Sequence, residues 1–220
     1  MPYTFSDIED IIRLTSISDY YRALPIVSRT LTDALLKSAC VKYIYDDDNT
    51  HRLLEAAAKL RHESLFRDCL AWTVNPWAAP KYLKLSDFKF KKAADKVHQD
   101  ITTKVAEAHR MILCEIGEDS DRYPSTEEKL ATAKSAARNS SVGVANHYRA
   151  EVIHLPQYFY EIHSSRNFSR SSLPPEVVLR SNLTFSGDRA RPGYGFWQDY
   201  FFCGEVADED ILWDRTETDW

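Results

Sequence analysis

Seven histidines and four cysteines are the side chains here best suited to hold a metal or to attack a carbonyl. The histidines are His51, His62, His98, His109, His147, His154 and His163, and the cysteines Cys40, Cys69, Cys114 and Cys203. A zinc site usually shows paired ligands, as Cys-x-x-Cys or His-x-x-x-His, and neither spacing occurs. His98 and His109 share one expected helix but lie about 16 Å apart at 1.5 Å rise per residue, too far to share an ion. Asp46-Asp47-Asp48-Asn49 lacks the glycine and closing glutamate of a calcium loop and reads instead as the cap of a following helix. No Gly-x-Ser-x-Gly elbow, phosphate-cradling loop or dinucleotide fingerprint is present. Gly187-Asp188-Arg189-Ala190-Arg191-Pro192-Gly193-Tyr194-Gly195 is glycine-rich, but no apolar strand precedes it and no helical pattern follows, so it reads as a loop. The expectation is a protein that is not an enzyme, with no catalytic residue, no cofactor and no metal. An enzyme of unrecognised type stays open, because a triad assembles only in the fold.

Charge offers two further candidates. Lys81, Lys84, Lys89, Lys91, Lys92, Lys96, Lys104 and Arg110 make residues 81–110 basic, interleaved with Tyr82, Leu85, Phe88 and Phe90. The chain as a whole carries a formal charge of −5. That argues against nucleic acid, whose affinity comes from cations on phosphates, yet a nuclear regulatory or nucleic-acid-binding protein using 81–110 is the first alternative. The C-terminal stretch is acidic, with Asp199, Glu205, Asp208, Glu209, Asp210, Asp214, Glu217 and Asp219 against Arg215 alone. A third option is internal: the basic stretch receives the acidic tail. Arg166 and Arg170 precede Ser169, Ser171 and Ser172, and phosphorylation of Ser169 or Ser172 would add nearly two negative charges per site.

The elements that must position these groups are helical. The chain has 220 residues, 44% hydrophobic, and only six glycines, several of them late, so the first two thirds lack the turns that many short strands need. Ser6-Asp7-Ile8-Glu9 has the form of a capping box before a helix over about Asp7 to Tyr20. Pro25 suits the first turn of a second helix. A third is expected from about Thr50 to Arg61 and a fourth from about Ser64 to Val74, stopped by Asn75-Pro76. Residues 76–92 read as a basic connector. Val97, Ile101, Val105, Ala108, Ile112 and Ile116 then predict a long helix from about Ala93 to Ile116, closed by Gly117. Ser125-Thr126-Glu127-Glu128 opens a helix running toward Leu155, before Pro156. From about residue 164 the chain turns irregular, ending in a tail that mixes acids with Phe196, Trp197, Tyr200, Phe201, Phe202, Trp213 and Trp220. The fold class expected is all-α, an array of about six helices with an irregular, acidic, aromatic C-terminal segment. Its stretches are 6–75, 76–92, 93–163 and 164–220.

The N-terminus has no basic region followed by an apolar one, no run approaches eighteen apolar residues, and the cysteines are scattered. These features lead to the expectation of an intracellular protein, cytoplasmic or nuclear, with reduced thiols and no membrane contact.

Ile17-Ser18-Asp19-Tyr20-Tyr21-Arg22-Ala23-Leu24-Pro25, followed by Leu31 and Leu35-Leu36, resembles the late helical pair of fungal BTB/POZ-domain proteins. Residues 55–70, Glu-Ala-Ala-Ala-Lys-Leu-Arg-His-Glu-Ser-Leu-Phe-Arg-Asp-Cys-Leu, are similar to the helical segment that follows in that group. The ending Gly204 to Asp214 is similar to their acidic Trp-Asp tails. The strand hairpin, Phe-x-x-His segment and dimer-forming helices that open a BTB core have no counterpart here. The resemblance therefore implies the end of such a protein without its front, and a truncated gene product is one expectation. It implies an adaptor or scaffold, a non-enzymatic protein–protein interaction module with a protein partner. A cullin-type ligase enters only if an upstream BTB core exists. Tail aromatics are the expected anchors, Trp213 and Trp220 first, with Phe201 and Phe202. The plainer expectation is that these rings pack on their own helices.

Overall fold

The structure, a computed structural model, describes residues 3–38, 49–117, 124–143, 151–168, 175–186 and 190–217. Eight helices and one two-stranded hairpin lie among them: α1 (Ile8–Tyr20), α2 (Leu24–Lys37), α3 (Thr50–Lys59), α4 (Glu63–Thr73), α5 (Phe88–Gly117), α6 (Thr126–Asn139), α7 (Leu155–Ser164) and α8 (Pro175–Val178). The fold is all-α. None of these helices is long and apolar enough to cross a membrane.

Local chemistry sets the helix ends. Asp7, one residue later than expected, is the N-cap of α1, and Asp10 closes the box by accepting from the Asp7 N–H at 3.2 Å. Ser125 and Glu128 form the expected box on α6. Asn49 caps α3 by position only, its side chain making no capping bond, and Asp46 to Asp48 lie outside the described residues. His62 caps α4 with its ring, Nδ1 accepting from the Leu65 N–H at 3.2 Å.

Two helix ends share one device. Ala23 N–H donates to Ser18 O and Arg22 N–H to Asp19 O; His62 N–H donates to Ala57 O and Arg61 N–H to Ala58 O. Each is a Schellman closure, and each places an arginine in the left-handed region, Arg22 at φ 54° and Arg61 at φ 47°. The result is two helical hairpins, α1–α2 and α3–α4, joined where α1 packs on α3.

The helix expected from Ser125 toward Leu155 is instead a series of four elements. α6 stops at Asn139, strands β1 (Ser141–Gly143) and β2 (Glu151–Ile153) pair antiparallel, and α7 begins at Leu155. Pro156 starts a helix rather than ending one, because its missing N–H falls in the first turn. The long helix α5 begins at Phe88, earlier than expected, so part of the basic connector is helical.

One core cluster draws on every stretch of the chain, from Phe5 through Leu53, Phe66, Trp72, Ile101 and Phe159 to Phe202 and Ile211. α4 packs on α5, α5 on α6 and α8, and α6 on α7. The segment after residue 190 is irregular, as expected, but it is not peripheral. Gly204 presses on α5 so closely that a Cβ there would lie 2.5 Å from Val97 Cγ1 and 3.1 Å from Ile101 Cδ1.

Candidate functional site

The four aromatics expected as partner anchors fare differently. Phe201 and Phe202 are 0% exposed and offer a partner no surface. Phe202 packs on Trp72 at 4.7 Å between ring centroids, and Phe201 on Trp77 at 5.1 Å. Their burial follows from backbone anchoring. The Asn75 carboxamide holds Phe201, Asp100 Oδ2 accepts from the Glu205 N–H at 2.9 Å, and Lys104 Nζ donates to Cys203 O at 2.9 Å. Trp213 is half-buried, set edge-on against Phe66 at 5.1 Å. Trp220 lies outside the described residues.

The basic stretch meets the acidic tail. Lys96 pairs with Asp210, Lys104 with Asp100 and Glu205, and Arg110 with Glu107. Lys91 Nζ donates to Leu83 O at 3.2 Å. Four of the eight cations that would grip phosphates are thus engaged inside the molecule. Arg67, on α4, adds to the same clamp through Glu63, Asp208 and the Val206 carbonyl.

Two buried titratable groups brace this arrangement. Asp68 is 1% exposed and accepts backbone N–H bonds from Thr184 at 2.8 Å and Phe185 at 2.9 Å. Burial pushes its carboxyl up to about 6 against those donors. Burial pushes His62 down to about 4. With Nδ1 accepting from Leu65, the proton of neutral His62 sits on Nε2, which faces Thr32 Oγ1 at 2.9 Å. Both groups hold structure together.

An acid–base contact does form, which no spacing in the sequence signalled. His154 Nδ1 lies 3.2 Å from Asp199 Oδ1, but neither atom has a hydrogen bond of acceptable geometry. The contact is close and misaligned. Asp199 instead holds the 76–79 turn, its Oδ2 accepting from the Ala78 N–H at 3.1 Å and its carbonyl from the Trp77 N–H at 2.8 Å. Ser140 follows the same pattern: its carbonyl accepts from the His154 N–H, while its buried Oγ has no partner. Nucleophilic catalysis needs a nucleophile within reach of its base, and no hydrogen bond joins Ser140 Oγ to the His154 ring among the described residues. Nor do those residues contain a cluster of three or more His, Cys, Asp or Glu able to hold a metal ion.

What stands out on the surface is apolar. At the tip of the first hairpin Ile17 is 55%, Tyr20 82%, Tyr21 72% and Ile26 67% exposed. Ile17 and Tyr20 lie three residues apart on one face of α1, Tyr21 is its C-cap, and the two tyrosine rings meet edge to face at 5.0 Å. Ile26 follows on the first turn of α2. The buried face of α1 is a different stripe: Ile8, Ile11, Thr15 and Ser18. The signal was legible as a helix apolar on two sides, but a single core stripe accounted for too few of these residues to draw attention to the second.

The fold and this surface define a class: an all-α chain closed around its own core, with residues 199–204 of its C-terminal segment buried and an aromatic tip uncovered. Compared with protein-family models, curated proteins and solved structures, the chain matches none.

Proposed function

We propose that this protein is a non-enzymatic protein–protein interaction module, an adaptor or scaffold of the kind that its resemblance to the helical part of fungal BTB proteins implies. The observation carrying the reading is the exposed Ile17, Tyr20, Tyr21 and Ile26 tip. Side chains of this kind cost free energy in water at roughly 25 cal/mol per Å² of apolar surface, and contiguous exposed patches mark contact sites. Tyrosines suit the task, since a rigid ring gives contact area at small entropic cost. The anchors pass from the tail to this tip, with Trp213 and the undescribed Trp220 as secondary candidates. Cullin binding belongs to the reading only where a BTB core precedes this chain. The nucleic-acid alternative draws less support, because Lys96, Lys104 and Arg110 already have carboxylate partners.

A photo-crosslinking residue at position 20, with the same residue at exposed Thr103 on α5 as control, tests the reading in cells. A discrete crosslinked protein from position 20 and none from position 103 is the expected result. Equal labelling from both positions removes the tip as a contact site.

A further inference from the structure

A second surface, on different elements from the aromatic tip, has the chemistry of an anion site. A cleft of about 920 Å³ opens between α7, residues 176–183 and residues 190–192. Arg180 and Arg191 both line it, and Glu176 is the one carboxylate among the lining residues. The local balance is therefore positive on a chain whose net charge is −5. Neither guanidinium group enters an ion pair or hydrogen bond with any described residue, whereas those of Arg52, Arg61, Arg67, Arg110 and Arg215 all have carboxylate partners. His163 and Ser181 also line the cleft, with His163 Nδ1 and Ser181 Oγ turned away from solvent.

The walls are held in place before any ligand arrives. Gly193, at φ +77°, lies so near α7 that a Cβ would come 2.2 Å from Pro156 O, which fixes the turn that starts at Arg191. The Tyr194 N–H donates to Arg191 O at 3.2 Å and the Gly193 N–H to Trp197 O at 2.9 Å. On the other side the Asn182 N–H donates to Phe202 O, and Asp68 grips Thr184 and Phe185. Phe159 and Ile162, both 0% exposed, root α7 in the core, leaving Tyr160 and His163 toward the cleft. A pre-formed concave site with a few convergent polar groups is the usual form of a ligand pocket.

We propose that this cleft binds the phosphate group of a phosphomonoester, gripped by the guanidinium groups of Arg180 and Arg191. Planar guanidinium forks match phosphate oxygens bidentately, and two of them balance a dianion. The volume exceeds what a bare phosphate fills, and the Tyr160 ring with Leu179, Leu183 and Pro192 supplies apolar wall for the rest of the ligand. The same phosphate chemistry reaches the cleft from two sources, a phosphorylated side chain of a peptide or a free nucleotide.

The test is isothermal titration of the full chain with three probes: inorganic phosphate, adenosine monophosphate and a phosphotyrosine peptide with its unphosphorylated control. Saturable binding of at least one phosphorylated probe is expected. The double variant Arg180→Gln/Arg191→Gln should weaken it by at least about tenfold, while Arg166→Gln, outside the cleft, leaves it unchanged. Preference for the peptide assigns a phosphoprotein ligand, and preference for the nucleotide assigns a small-molecule ligand. Both arginines are exposed and their guanidinium groups have no partner among the described residues, so the double variant should keep the wild-type melting temperature. As a check needing no ligand identity, phosphate should raise the wild-type melting temperature more than chloride at equal ionic strength, and the variant should lose that difference. No saturable binding, or equal binding by wild type and double variant, overturns the proposal.

Discussion

Asn75 and Phe201 bond each other in both directions: the Phe201 N–H donates to Asn75 Oδ1 at 2.9 Å, and Asn75 Nδ2 donates to Phe201 O at 2.8 Å. A side chain here does what a neighbouring strand would do, satisfying both polar groups of one buried peptide position. Asn75 is itself 0% exposed and donates also to Ala71 O at 2.8 Å, so it ties the end of α4 to the tail.

Removing that carboxamide leaves a buried N–H and C=O without partners, at about 1–3 kcal/mol each. Asn75→Ala should therefore lower stability by roughly 2–6 kcal/mol in a urea titration. Asn75→Asp should do little better, since a carboxylate cannot donate to Phe201 O or Ala71 O.

Gly204 is required by space rather than by backbone conformation. Gly204→Ala puts a methyl group 2.5 Å from Val97 Cγ1, on a helix whose Val97 and Ile101 are buried. Overpacking of this kind costs about 1–3 kcal/mol, read as a drop in the thermal midpoint. The paired variant Gly204→Ala/Val97→Ala, which makes room, should recover part of the loss.

His62 and Asp68 set opposed pH dependences. The folded state holds His62 down to about 4 from an ordinary 6.5, so its contribution is full above 6.5 and is lost as pH falls toward 4. Asp68 is raised to about 6 from an ordinary 3.8, so its contribution is greatest below 3.8 and is lost as pH rises toward 6. Each amounts to roughly 3 kcal/mol at full effect. The two nearly cancel between pH 4 and pH 6 as far as these groups decide it. His62→Asn keeps a capping acceptor but does not titrate, so its stability should fall as pH rises from about 4 to about 6. Asp68→Asn should show the opposite slope, rising with pH up to about 6.5. Urea midpoints across that range check both signs.

The tail is held by apolar burial more than by charge. Val206 at 6% and Ile211 at 8% exposure should each contribute about 1.5–3 kcal/mol, whereas exposed ion pairs are weak and screened by salt. Ending the chain after Gly204 should therefore lower the melting temperature by several degrees at low and high salt alike. Lys96→Ala should leave it unchanged within error. A truncation with the wild-type midpoint would mean that the tail is not part of the core.

The helices were legible because their signals are local. The Ser125–Glu128 box, the spacing of Val97, Ile101, Val105 and Ala108, and Pro25 in a first turn all act within a few residues. The break after Asn139 was not, because Ala136 and its neighbours favour a helix and only the pairing of Val142 with Val152 ends it. Arg22 and Arg61 hid two helix closures that glycine would have announced. The partner-anchor expectation for Phe201 and Phe202 erred for a related reason: composition shows that aromatics must be covered, but Asn75, Asp68 and Gly204 decide that their own chain covers them. The arginine cleft was hidden too, since Tyr160, Arg180 and Arg191 meet only in three dimensions.

The most direct measurement is recovery of the full chain from cells, with and without Tyr20→Asp and Ile26→Asp, quantifying the proteins that accompany it. Both side chains are mainly exposed, so the double variant should keep the wild-type melting temperature. The account predicts a partner held in near-stoichiometric amount by the wild type and by Arg180→Gln/Arg191→Gln, and reduced at least about tenfold by the tip variant. Identical recoveries from wild type and tip variant, at equal melting temperature, would contradict the claim that this hairpin is the contact surface.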